Sequence, residues 1–142
     1  MQSLMSSVEP NMMSVVWFSI AWAVAAAGWF YLAGSLPLSQ ASDDVRTATG
    51  YVLVVTNTAL ALVATVVALL IAVHELRWTS MVVVGGFLFL FAPFVIQDLP
   101  ARLRDTRAGM LLLLIVSVGT LGVLQAVGAL TRAIGYGRAL LG

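Results

Sequence analysis

Residues 51–73 read YVLVVTNTALALVATVVALLIAV, residues 74–77 read HELR, and residues 78–97 read WTSMVVVGGFLFLFAPFVIQ. Two apolar runs thus flank a connection that carries Glu75 and Arg77. No Asp, Glu, Lys or Arg lies between Arg46 and Glu75, or between Arg77 and Asp98. An α-helix rises 1.5 Å per residue, so about 20 residues cross a hydrocarbon core roughly 30 Å thick. Lipid offers no water to backbone N–H and C=O groups, so a spanning segment must pair them within itself. Runs of this length without alternation predict helices, not barrel strands.

The same reading extends to both sides. Charge-free stretches also separate Glu9 from Asp43 and Arg107 from Arg132. The chain therefore predicts an all-α integral membrane protein in one domain, 1–142, with four helices at about 14–32, 51–73, 78–97 and 108–130. Aromatic residues fall near the expected span ends: Trp17 and Phe18, Trp29 to Tyr31, Tyr51, and Trp78. Such rings favour the headgroup level, where one end is apolar and the other wet. The four-residue connection 74–77 predicts that the second and third helices are antiparallel neighbours in an up-down bundle.

Composition agrees. Of 142 residues, 61% are hydrophobic and 9% charged, against about 45–50% and about 25% in soluble domains. Mean hydropathy is +1.05. A disordered chain is polar, and this one is not. The net charge of +1, from seven Arg and no Lys, is too small for a nucleic-acid footprint. Cysteine is absent, which removes disulfides and thiolate chemistry. The arginines number three on the side of the termini and four on the other, so the positive-inside rule leaves orientation undetermined. The expected location is a multi-pass position in a prokaryotic inner membrane.

No ionised residue falls inside any expected span, although intramembrane charges are the usual mark of pumps and proton relays. No catalytic residue and no metal site is therefore expected. The single His74 is the one candidate cofactor residue, placed to meet a quinone carbonyl or a pigment metal at the interface. The neighbouring Glu75 and Arg77 are expected to pair with each other. Bound lipid, quinone or pigment are the cofactors such a surface would take.

Helices in lipid associate through close backbone packing, so small residues mark contact faces. These are Ala23 and Ala27 on the first helix, Ala64 and Ala68 on the second, and Gly119, Gly122, Ala126 and Ala129 on the fourth. Phe87, Phe91 and Phe94 form an aromatic face on the third, with Pro93 set to kink it. Asn57 and Gln125 are expected to be buried polar residues that bond other helices of the bundle. The expected function is a non-catalytic accessory subunit that packs on a larger membrane complex, with lipids and other subunits or further copies as partners. The alternative is a small homo-oligomeric channel or transporter lined by Thr56, Asn57, Thr65 and Gln125.

Overall fold

A computed structural model describes residues 11–34, 36, 43, 45–104 and 106–142. Its elements are α1 (Met12–Gly34), α2 (Ala48–Glu75), α3 (Trp78–Gln97), a 3-10 turn (Ala101–Leu103), α4 (Arg107–Ala126) and α5 (Ala129–Leu141). The first four helices each have the length and apolarity to cross a membrane.

Local chemistry sets the helix starts. Thr47 and Thr106 stand as N-caps, and their hydroxyls accept from Gly50 N at 3.1 Å and Gly109 N at 3.2 Å. Each satisfies one of the N–H groups that a first turn leaves orphaned. α3 continues through Pro93 to Gln97. The fourth helix departs from expectation. It was expected to run to residue 130, but it stops at Ala126, and α5 begins at Ala129. Gly128 lies at φ 77, the left-handed conformation that glycine adopts without a Cβ penalty, so it turns the chain there. The mostly apolar stretch 124–130, in which Gly128 sits between Val127 and Ala129, conceals that stop in the sequence.

α1 and α2 form the centre. Gly28 and Ala61 approach closely, Ser14 bonds Glu75, and Trp29 Nε1 donates to Thr65 Oγ1 at 2.9 Å. α4 and α5 lean on α2. One core cluster joins Phe18, Ala21, Ala68, Ile71, Leu124 and Ala133, and a second joins Tyr31, Leu32, Val45, Leu53, Ala61 and Met110. The short connection after α2 does not make α3 its packing neighbour, contrary to expectation. α3 packs chiefly on α1 and barely touches α2. Trp22 Nε1 donates to Gly85 O at 2.9 Å, and the Phe18 ring lies against Gly85. An apolar crevice of about 270 Å³, bordered by Leu69, Met81 and Phe89, takes the place of an α2–α3 interface.

The outer surface is mostly hydrocarbon. Val16, Ile20, Val52, Val55, Leu62, Val66, Val83, Leu90, Ile115 and Val118 are all exposed, and every one of the four long helices contributes to this surface. The buried set includes three polar side chains, Ser14, Asn57 and Ser117. A monomer in water rarely exposes apolar surface on this scale.

Candidate functional site

Three places gather the chain's polar or shape-forming residues. The first lies where the start of α1, the end of α2 and α5 meet. Glu75 ends α2, and its carboxylate accepts from Ser14 Oγ at 2.5 Å, Arg132 Nε at 2.9 Å and the Tyr136 hydroxyl at 2.8 Å. Asn11 Nδ2 donates to the Glu75 carbonyl at 2.8 Å. The Glu75 side chain is 9% exposed, and that of Arg132 is 43% exposed. The expected pair with Arg77 gives way to Arg132. Residues two apart on a helix end do not face each other, and Leu76 has already left helical geometry. The hydrogen bond to Glu75, then burial, raises the Tyr136 pKa above the ordinary phenol value. His74 stacks flat on Tyr136, with centroids 4.4 Å apart and planes 2° apart, and its Nδ1 donates to Leu70 O at 3.0 Å. The arrangement holds three segments together. Sequence reasoning missed it, because the pair spans 57 residues and α5 was not foreseen.

The second place is Asn57, 1% exposed between α2 and α4. Its Nδ2 donates to Leu53 O at 2.9 Å and to Met110 O at 3.1 Å, the latter across the helix pair. Among the described residues its Oδ1 has no hydrogen-bond partner. Thr56 is exposed and donates to Val52 O, while Thr65 donates to Ala61 O. Gln125, expected to be buried, is instead exposed near the far end of α4, where its Oε1 lies 3.5 Å from Thr131 Oγ1. The structure does not bring Thr56, Asn57, Thr65 and Gln125 to one face.

The third place is the outward side of α3 and α4. Ala64, Ala68 and Ala129 are buried in the bundle, whereas Ala23 and Ala27 are half-buried and floor a groove. Gly119, Gly122 and Ala126 are exposed, and a Cβ at either glycine would meet nothing within 4 Å. At 100° per residue they lie on the side of α4 away from buried Ser117 and Leu124. Phe87, Phe91 and Phe94 also face outward, opposite buried Gly85 and Ala92. Their rings form a ladder, with centroids 4.4 Å and 6.0 Å apart.

Between these faces α3 and α4 scarcely touch, and both rest on α1. The resulting groove has a volume of about 280 Å³ and is lined by Ala23, Ala27, Phe91, Val95, Leu113 and Val116 among others. A second hollow of about 110 Å³ shares Leu113 and Val116 and reaches Tyr31, Leu99, Leu103 and Gly109. There the Tyr31 hydroxyl donates to Leu103 O at 2.7 Å, which ties the 3-10 turn to α1. Among the described residues, no three His, Asp or Glu side chains gather as a metal set would. Comparison with protein-family models, with curated proteins and with solved structures finds no match for this chain.

Proposed function

We propose that the chain is a multi-pass membrane accessory subunit. In this reading α1 to α4 cross the bilayer as an antiparallel up-down bundle, and the exposed face of α3 and α4 packs on a larger membrane complex. The outward apolar surface supports insertion, since lipid is the solvent that such a surface suits. The pairing of Ser14 with Glu75 and of Trp29 with Thr65 supports opposite directions for α1 and α2, and the Asn57–Met110 bond supports a cross-helix tie between α2 and α4.

One observation carries the accessory role. The strongest polar groups, Glu75, Arg132 and Asn57, are engaged in holding the helices, while the glycine face and the phenylalanine ladder are left outward. Small residues let a partner backbone approach closely, and a row of neighbouring rings offers a large rigid contact. The protein acts, on this reading, through packing rather than through bond-making chemistry. The channel reading lacks a matching feature, because its four lining residues do not converge.

Photo-crosslinking in native membranes tests this. A benzophenone side chain at Gly122 or Phe91 is expected to capture an unlike membrane polypeptide, and one at Val55 on α2 is not. Capture of further copies of this chain alone, joined to solute flux in liposomes that Asn57→Leu abolishes, would replace the accessory reading with the channel. Thiol tags at Asp43 and Gly137 test the topology, and an impermeant reagent should reach only one of them in sealed vesicles.

A further inference from the structure

We propose that the cleft between α3 and α4 seats one anionic phospholipid. An acyl chain lies along Ala23, Ala27, Leu113 and Val116, and the phosphate meets Arg102 and Arg104. The inference rests on the membrane reading above but not on the identity of any protein partner.

The shape argument comes first. The two hollows share Leu113 and Val116 in their linings, so they adjoin, and together they reach from the middle of the helices to the Ala101–Leu103 turn. Along this path the α1 lining advances from Ala23 to Tyr31, eight residues or about 12 Å of helix. Ala23, Ala27 and Gly109 keep the floor low, while Phe91, Val95 and Val116 form the walls. The lining is apolar almost throughout. A polar ring cofactor would want hydrogen-bonding groups in the wall. The one hydroxyl there, on Tyr31, is already donated to Leu103 O. A flexible hydrocarbon chain asks for no polar anchors.

The charge argument identifies the headgroup. Leu99 and Leu103 line the end of the path. Arg102 and Arg104 flank Leu103, and both are exposed. Arg104 Nε donates to Leu99 O at 3.1 Å, which holds that guanidinium beside the groove mouth. Guanidinium groups match phosphate oxygens in a forked geometry. Basic residues at the mouth of an interhelical pocket favour anionic headgroups over zwitterionic ones.

The test uses the full-length protein exchanged into micelles with phosphatidylglycerol and phosphatidylcholine of equal chain length, read by native mass spectrometry. Alkaline extraction of the source membranes comes first, and release of the protein into the supernatant would overturn the membrane reading itself. With the protein retained in the membrane, one phosphatidylglycerol should stay bound with a preference on the order of tenfold, as two arginines at a headgroup imply. Arg102→Gln together with Arg104→Gln should bring that preference close to one. Arg102→Gln alone, which leaves the Arg104–Leu99 bond in place, should lower it partway. Val116→Trp, which fills the path from an exposed position, should lower retention of both lipids. Arg138→Gln on α5 should change nothing. Equal retention of the two lipids by the parent protein overturns the proposal, as does a preference that survives loss of both arginines. So does unaltered retention in a folded Val116→Trp protein.

Discussion

Gly109 and Gly119 lie on the same helix, and the same substitution at each should act in opposite directions. A Cβ at Gly109 would sit 1.9 Å from Leu103 O and 2.0 Å from the Tyr31 hydroxyl. The carbonyl belongs to the backbone of the 3-10 turn and must retreat from 1.9 Å to beyond 3.0 Å, by about 1.1 Å. Tyr31 is 6% exposed, and its hydroxyl donates to that carbonyl, so the retreat breaks a largely buried hydrogen bond. Overpacking of this kind costs about 1–3 kcal/mol, and loss of the Leu103 bond costs about 0.5–1.5 kcal/mol, since the Tyr31 hydroxyl keeps a longer contact to Thr106 O at 3.4 Å. Alanine recovers up to about 1 kcal/mol of helix propensity over glycine. The net expectation for Gly109→Ala is a loss of about 0.5–4.5 kcal/mol. At Gly119 the added methyl meets nothing within 4 Å, so the isolated chain should hold steady or gain about 0.5–1 kcal/mol. Denaturation of both variants in nonionic micelles, by heat and by dodecyl sulfate titration followed by circular dichroism, measures the contrast. A Gly109→Ala protein as stable as its parent would refute the reasoning. A folded Gly119→Ala monomer that loses more than about 1 kcal/mol would also refute it.

Glu75→Gln removes the charge that Arg132 faces and should cost about 1–2 kcal/mol, since Arg132 is partly solvated. Hydrogen exchange should localise the loss to 129–141, and uniform loss across α1 to α4 would contradict it. Asn57→Leu should lower stability by about 0.6–2 kcal/mol by removing the tie to Met110 O, and a stabilised variant in the same denaturation assay would show that tie to be dispensable. Tyr136 has a raised pKa in the fold, so its contribution is intact below the ordinary phenol value of about 10 and is lost as pH rises through the higher folded value. Ultraviolet titration should therefore place tyrosinate formation at Tyr136 above that of a free phenol. Tyr136→Phe should remove this alkaline step, and a step that persists would locate it on another tyrosine.

Charge spacing alone made four long apolar helices legible, because uncharged apolar runs of about 20 residues match the length that a spanning helix needs. Three of the four were placed to within a few residues. The fourth overran its end because Gly128 sits among apolar neighbours, and only its positive φ reveals the turn. The small residues were legible as a set but not by direction. Ala64 and Ala68 turn inward, while Gly119 and Gly122 turn outward, and nothing in their spacing distinguishes the two. Outward-facing and core-facing residues are both apolar here, so hydrophobic pattern carries little information about which way a helix is rotated.

Composition and the positions of charges determined the class, the number of long helices and the absence of formal charge between their ends, since these depend on solvation of one segment at a time. The tertiary structure decided what depends on two segments meeting: Glu75 with Arg132 rather than Arg77, α3 against α1 rather than α2, and the cleft that opens because α3 and α4 both rest on α1. Those outcomes follow from the rotation and tilt of whole helices, which close contacts such as Phe18 on Gly85 and Tyr31 on Leu103 select and which no local pattern encodes.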